Sequence, residues 1–124
     1  MPHDQQDDPR FLIYQEQKPW GSFRRFTHNQ MSTLKIITVN PGQSLSLQLH
    51  CNRDELWVIL DPGLQVTVGE RTWKPEPCEE IYIPRQTHHR ATGVGLRPSR
   101  WLEIALGEFD ERDIVRLEDR YGRK

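Results

Sequence analysis

The chain has 124 residues and a mass of 14.7 kDa, a length that predicts one domain over residues 1–124. Seventeen basic and eighteen acidic side chains give a formal net charge of −1, which excludes a strong general attraction to nucleic acid or to an anionic membrane. Hydrophobic residues make up 35% of the chain, partly because its ends are polar, and we expect a flexible tail over about residues 1–10.

Two features of the sequence favour a cytoplasmic protein. There is no 18-residue apolar run and no charged-then-apolar leader, so we expect neither a membrane span nor a signal peptide. Cys51 and Cys78 are the only cysteines, and without a secretory signal they are expected to be free thiols in a reducing compartment.

Short β-like segments bounded by Gly and Pro turns follow one another from residue 11 to residue 106. Aliphatic and β-branched residues fill them, a pattern typical of an antiparallel sandwich or barrel. The predicted strands cover residues 11–15, 22–26, 33–39, 44–50, 55–60, 64–68, 79–84, 89–92 and 101–106. One helix is predicted, over residues 110–122, where Ile114, Leu117 and Tyr121 recur at helical spacing.

The predicted strand over residues 44–50 places two polar side chains of chemical interest on one face. In LSLQLH leucines alternate with polar residues, so Gln48 and His50 point the same way. Glu55 opens the next strand, and antiparallel pairing of the two strands would bring Gln48, His50 and Glu55 together. His89, where a loop re-enters a strand, is a fourth candidate. This mixed N/O set suits Zn²⁺ or a similar divalent ion, although Gln48 or His50 alone is as readily explained by a structural role.

The spacing of these residues and several longer stretches resemble a known family. Residues 48–55, as Q-x-H-x(4)-E, and 84–89, as P-x-Q-x-x-H, are similar to the two metal-binding motifs of cupins. The stretches KPWGSF, LKIITVNPGQSLSLQLHCNRDELWVIL, YIPRQTHHR, LEIALGEF and DIVRLEDRYGR resemble the type II mannose-6-phosphate isomerase domain, a cupin found alone or fused behind a mannose-1-phosphate guanylyltransferase. The resemblance implies an all-β, cupin-type double-stranded β-helix (jelly-roll) barrel, here in a stand-alone form with a short C-terminal helix.

The resemblance also implies an activity, the isomerisation of mannose 6-phosphate to fructose 6-phosphate through an enediol intermediate. One divalent metal ion, Zn²⁺ or else Mn, Fe or Ni, would be held by the four residues named above. Arg90 would stabilise charge or transfer a proton, with His88 as a second candidate for the proton transfer. Lys35 and Arg53 would bind the phosphate, and Trp57 would wall the pocket.

The chain departs from the family pattern around the predicted site. Cys51, Asn52 and Leu56 stand where the family has histidines, Ile36 replaces an arginine, and Gln86 replaces a glycine. These changes leave two alternatives open: a non-catalytic cupin that binds a sugar or sugar phosphate, and a metal cupin with different chemistry. In each case the expected partner is a small molecule, and a homodimer formed through an edge strand is a further expectation.

Overall fold

The computed structural model describes residues 8–123, and the chain divides into two compact units, residues 1–31 and 32–124. In the described part of the first unit, a 3-10 helix (Pro9–Leu12) precedes an antiparallel hairpin of β1 (Tyr14–Lys18) and β2 (Gly21–Arg25). Gly21, in the PWG turn, has a φ of 144°, a conformation that a residue with a Cβ rarely adopts. Most of the predicted flexible tail lies outside the described residues, and the single domain over residues 1–124 stays a prediction.

The second unit contains nine strands among its described residues. They are β3 (Ser32–Val39), β4 (Leu47–Leu49), β5 (Asp54–Ile59), β6 (Leu64–Val68), β7 (Arg71–Trp73), β8 (Glu80–Ile83), β9 (His89–Gly93), β10 (Ser99–Leu106) and β11 (Val115–Glu118). Antiparallel pairing forms one sheet in the order β3-β10-β5-β8 and a second in the order β11-β4-β9-β6-β7. Across the described chain, no helix is both long and apolar enough to cross a membrane.

A hydrophobic core fills the space between the two sheets. Side chains alternate along each strand, and the inward row of each main strand is apolar over most of its length. The buried core residues are Val39, Trp57, Ile59, Leu64, Val66, Ile81, Ile83, Ala91 and Trp101. Trp57 and Trp101 stack with 4.5 Å between their ring centroids. The inward rows of β5, β9 and β10 then continue into Glu55, His89 and Glu103, so the core has a buried polar end.

The all-β prediction is confirmed, but the predicted C-terminal helix is wrong. Residues 115–118 form β11, in which Val115 lies opposite Leu49 and Arg116 opposite Gln48. The helical spacing of apolar residues in this segment is overridden because the edge of β4 accepts a further antiparallel strand. Two smaller differences concern strand limits. The strand predicted from residue 11 begins at Tyr14, since the 3-10 helix precedes it, and β7 has no counterpart in the prediction.

Candidate metal centre

Strand pairing brings the four predicted ligands together at the polar end of the core. Gln48 on β4 lies directly opposite His89 on β9, and His50 follows β4 on the same face. Glu55 reaches them from β5 in the other sheet. His50, Glu55 and His89 expose only 3%, 1% and 1% of their surface. Each of these three offers a ligand atom, and the three atoms lie within 4.8 Å of one another.

Backbone carbonyl groups orient both imidazoles. His50 Nδ1 lies 2.6 Å from the carbonyl oxygen of Asp113, and His89 Nδ1 lies 3.1 Å from that of Thr87. A carbonyl can only accept, so each Nδ1 carries the proton and donates it. In the neutral tautomer that these bonds select, Nε2 carries the lone pair and is directed toward Glu55, which is the arrangement typical of metal-binding histidines.

The residues present fit a divalent metal ion. His50 Nε2 is 3.4 Å from Glu55 Oε2, and His89 Nε2 is 3.8 Å from Glu55 Oε1. Within the described part of the chain, His89 Nε2 is fully buried and has no hydrogen-bond partner. A buried polar atom without a partner is costly, and a coordinated cation would satisfy it. Two imidazole nitrogens and a carboxylate are the donors that Zn²⁺ takes in open sites.

Gln48 lies beside the three ionisable residues, with its amide nitrogen toward them. Its Nε2 is 3.4 Å from His50 Nε2, while its Oε1 accepts a hydrogen bond of 2.6 Å from the Ser46 hydroxyl. A hydroxyl can also accept, so a half-turn of the amide would present Oε1 to the cluster and Nε2 to Ser46. Gln48 thus lies beside the cluster, and its role as a ligand stays a prediction that depends on the orientation of the amide.

Arg53 lies inside the cluster. Its Nε donates to Glu55 Oε2 at 2.9 Å, and its Nη2 donates to His50 Nε2 at 3.1 Å. The side chain is buried, and its guanidinium carbon is 4.4 Å from the centre of the Phe109 ring. The phosphate-binding role expected of Arg53 stays a prediction, because in this structure its donors are directed to two of the proposed metal ligands.

The electrostatics of the cluster favour the charged form of Glu55 and the neutral form of His89. Burial raises the pKa of the Glu55 carboxyl, but His89, His50, the indole N–H of Trp57 and Arg53 together outweigh it and hold the pKa below its usual value. Burial lowers the pKa of His89, against the opposing effects of Glu55 and of the hydrogen bond to Thr87. A charged Glu55 and a neutral His89 are the protonation states that a metal ion requires of such ligands.

Glu103 is a functional candidate that the sequence analysis missed. It is 6% exposed on the inward face of β10, opposite Lys35 on β3 and Trp57 on β5. Burial, together with the negative charge of Glu55, raises the pKa of Glu103 to about 8, although Arg53 and Lys35 oppose the shift. The signal in the sequence was a carboxylate at an inward position of the otherwise apolar segment WLEIAL.

The C-terminal segment contributes a second missed residue, Asp113. Its carboxylate accepts hydrogen bonds of 2.8 and 3.0 Å from the backbone N–H groups of Cys51 and Asn52, while its carbonyl accepts from His50. Asp113 thus fixes both the turn that follows His50 and the orientation of the His50 imidazole. The signal in the sequence was the tail DIVRLEDRYGR. It matches the family pattern closely, although a β-barrel fold alone does not require this sequence.

The remaining predicted site residues lie outside the ligand cluster. Arg90 alternates with His89 and points away from it, and its Nη2 donates to Glu118 Oε2 at 2.7 Å, so the structure does not support contact with the reacting atoms. Trp57 is fully buried in the core, and its indole N–H donates to Glu55 Oε1 at 3.0 Å, so its place in a pocket wall stays a prediction. Lys35 is half-exposed, with Nζ 3.3 Å from Glu111 Oε1.

The positions where the chain departs from the family have distinct environments. Cys51 and Asn52 are exposed and face away from the cluster, whereas Leu56 is buried on the outer face of β5. Gln86 adopts a φ of 65°, which explains why glycine is the family residue there. Its backbone N–H donates to the carbonyl of His50 at 2.6 Å, and this bond ties the loop before His89 to the ligand turn.

Comparison with known proteins identifies relatives in sequence and in structure. Over 107 residues the chain is 38% identical to the xanthan biosynthesis protein XanB of Xanthomonas campestris and 38% identical to the alginate biosynthesis protein AlgA of Pseudomonas aeruginosa. It is 35% identical over 106 residues to the mannose-1-phosphate guanylyltransferase RfbM of Salmonella typhimurium. These alignments cover 85–86% of this chain but only 22–23% of the relatives, so the chain spans under a quarter of their length.

Solved structures with little sequence identity share the fold. The capsular polysaccharide assembling protein CapF of Staphylococcus aureus matches with a TM-score of 0.65 at 15% identity, over 86% of this chain and 34% of CapF. A double-stranded β-helix protein from Klebsiella pneumoniae matches with a TM-score of 0.62 at 14% identity, over 74% of this chain and 78% of that protein. The predicted double-stranded β-helix is confirmed.

A family model gives the assignment. The model described as "Mannose-6-phosphate isomerase C-terminal" matches residues 6–119, which include every residue of the ligand cluster and the C-terminal segment that supports it. The sequence relatives agree with this match over the greater part of the chain. The chain therefore belongs to the mannose-6-phosphate isomerase C-terminal family.

Proposed function

We propose that this domain is a metal-dependent sugar-phosphate isomerase that interconverts mannose 6-phosphate and fructose 6-phosphate. The observation that carries the proposal is the pair of buried imidazoles, His50 and His89, whose Nε2 lone pairs converge on the Glu55 carboxylate. Membership of the family and the curated relatives support a carbohydrate substrate. A bound Zn²⁺ or similar ion, held by these three residues and the amide oxygen of Gln48, would act as a Lewis acid toward the oxygens of the substrate.

Glu103 is the group we assign to proton transfer. Isomerisation breaks the C2–H bond of the aldose, its electron pair forms a C1–C2 double bond, and the carbonyl oxygen takes up a proton to give an enediol. A carboxylate that accepts the C2 proton returns it to C1 as the C1–C2 double bond breaks, while O2 loses its proton and its electron pair forms the C2 carbonyl of the ketose. The proton that O2 loses balances the one that O1 gained. Glu103 faces the cluster from β10 and has a pKa of about 8, which suits a base that works near neutral pH.

Lys35 supplies the positive charge that we assign to the phosphate group. It lies opposite Glu103 on the neighbouring strand, and its ammonium lies 4.3 Å from the centre of the Phe109 ring. Its present partner is the exposed carboxylate of Glu111, a solvated ion pair that is worth little and that a phosphate could replace. Arg90, which pairs with Glu118 outside the cluster, has no part in this proposal.

A non-catalytic sugar-phosphate binder is the second candidate function. The observation that favours it is Arg53, because a guanidinium already bonded to Glu55 and His50 supplies positive charge to the cluster. In that case the same residues would bind an anionic sugar without turnover. A metal site with different chemistry remains a third candidate for assay.

Metal analysis and a coupled assay for fructose 6-phosphate separate these functions. The wild-type chain should hold one zinc ion and convert mannose 6-phosphate. His89→Ala should lose both properties, whereas the matched control His88→Ala, which alters the neighbouring residue outside the cluster, should keep them. Glu103→Gln should keep the metal and lose at least about 100-fold in kcat, since general acid–base groups contribute that much. Stoichiometric metal with no turnover of any hexose phosphate would establish the binder instead.

A further inference from the structure

The guanidinium of Arg53 occupies the single lone pair of His50 Nε2 and one of the lone pairs of Glu55 Oε2. Nε donates to Glu55 Oε2 at 2.9 Å and Nη2 donates to His50 Nε2 at 3.1 Å, so one planar cation bridges two of the three ionisable ligands. A lone pair that accepts a hydrogen bond from Arg53 cannot at the same time coordinate an ion. Of the two imidazoles, only that of His89 has an Nε2 without a hydrogen-bond partner among the described residues.

We propose that Arg53 competes with the metal ion for His50 and Glu55: the ion needs the single lone pair of His50 Nε2, and its charge repels a guanidinium held on Glu55 Oε2, so metal binding displaces the guanidinium from the cluster. The inference rests on the metal site proposed above and concerns how that site is filled. Arg53 is 7% exposed and Glu55 is 1% exposed, which makes their contact a buried ion pair rather than a solvated one. Breaking such a pair has a cost, and this cost lowers the observed affinity of the site for the metal.

Arg53 has a second contact that it can keep after leaving the ligands. Its guanidinium carbon is 4.4 Å from the Phe109 ring centre, and Lys35 Nζ is 4.3 Å from the same ring centre. The ring attracts both cations through its face. A guanidinium released from Glu55 therefore remains near Lys35, as a free donor beside the group to which we assign the phosphate. Metal binding would therefore also provide a donor for an anion, and the metal ion and the anionic substrate should bind cooperatively.

Zinc affinity measured by competition with a chelating dye tests the displacement. Arg53→Met should bind zinc at least about tenfold more tightly than the wild type, which corresponds to about 1.4 kcal/mol. The matched control is Arg90→Met, which also removes a guanidinium but leaves the cluster contacts intact, since Arg90 pairs with Glu118. This control should change the affinity by less than about twofold.

Two outcomes of this titration would overturn the inference. Equal or weaker zinc binding by Arg53→Met would show that the guanidinium does not compete, and an equal gain in Arg90→Met would assign the effect to net charge alone. Both outcomes leave the metal site in place. The absence of zinc binding in the wild type and in both variants would instead remove the metal site itself, and with it the proposed function.

A measurement on the wild-type chain covers the case in which Arg53→Met does not fold. The Arg53 Nε–H, bonded to a buried carboxylate, should give a slowly exchanging resonance in ¹H–¹⁵N NMR spectra, assigned by its loss in Arg53→Lys. One equivalent of Zn²⁺ should abolish its protection. The Arg100 Nε–H, which donates to Asp61 at 2.8 Å away from the cluster, serves as the internal reference. Persistence of the protected Arg53 resonance in zinc-loaded protein would refute displacement.

Discussion

Single residues at the polar end of the core decide the chemistry that this domain can perform. His50 and His89 each donate a hydrogen bond from Nδ1 to a backbone carbonyl, so the fold itself selects the tautomer in which Nε2 carries the lone pair. Glu55 remains charged despite its burial, because partners from both sheets surround it. Arg53, which was expected to bind the phosphate, donates instead to two of the proposed metal ligands.

Glu103 should make the metal-free protein less stable as the pH rises. Its pKa is raised from 4.5 to about 8, so between these values the folded state holds a proton that the unfolded state releases. The free energy of unfolding then falls with pH across this window, by up to about 5 kcal/mol in total. Glu103→Gln should flatten this fall, as measured by urea unfolding in the presence of a chelator at pH 5 to 9.

The matched control for this titration is Glu108→Gln, which removes an exposed carboxylate and should keep the wild-type slope. A Glu103→Gln protein that retained the full pH dependence would show that another group titrates in this range. The assignment of Glu103 as the proton carrier would then lose its electrostatic support.

Among the elements, β4 shows best what the sequence could and could not predict. The alternation in LSLQLH predicts both the strand and the shared face of Gln48 and His50. Ser46 and His50 are buried on that face, at 1% and 3% exposure, so the polar row points inward. Period 2 alone does not say which face looks inward, and only the resemblance to cupin motifs indicated the correct one.

The C-terminal segment shows where local patterns mislead. Apolar residues at helical spacing predicted a helix, whereas β11 pairs with β4 and Asp113 binds the turn after it. The pairing depends on a free strand edge about 65 residues earlier in the chain, and no local window contains that information. The contact of Arg53 with the ligands and the place of Glu103 beside the cluster were not predicted for the same reason, because both depend on contacts between different strands.

Asp113→Ala should weaken zinc binding by about 10–100-fold, the usual cost of removing support from behind a metal ligand. The variant frees the N–H groups of Cys51 and Asn52 and loosens the turn that directs His50, although the backbone carbonyl at position 113 remains. Competition with a chelating dye gives the affinity. ¹⁵N NMR of the His50 ring shows whether Nδ1 still carries the proton.

Asp110→Ala is the control for this prediction, because it removes a nearby exposed carboxylate that pairs with Arg112 and not with the ligand turn. Asp113→Asn, which keeps one acceptor oxygen, should recover part of the affinity. Zinc binding of wild-type strength in Asp113→Ala would show that the carbonyl alone positions His50.

At the scale of the whole molecule, the second unit contains an apolar core with a cluster of buried polar side chains at one end. Trp57 belongs to both, since it stacks on Trp101 and donates to Glu55. The core holds the sheets together, and the strands in turn hold the ligands within reach of one another. A metal ion that binds only the folded state should therefore add directly to global stability.

Zinc at about 100 times its dissociation constant should raise the free energy of unfolding by about 2.7 kcal/mol and Tm by about 10 °C. Thermal unfolding of chelator-treated protein, with and without added zinc, measures the shift. His89→Ala should show almost none of it, whereas His88→Ala should respond as the wild type does. An equal rise in His89→Ala would place the stabilising ion somewhere other than the cluster.

The position of Asp113 in the chain also bears on how the centre matures during synthesis. β11 and the residue that holds His50 in place come after every other strand of the second unit. A nascent polypeptide can pair its earlier strands while the ribosome is still translating, but the imidazole of His50 lacks its support until residues 113–118 have emerged. Under the proposed function, the metal ion would therefore be bound only in the last step of assembly.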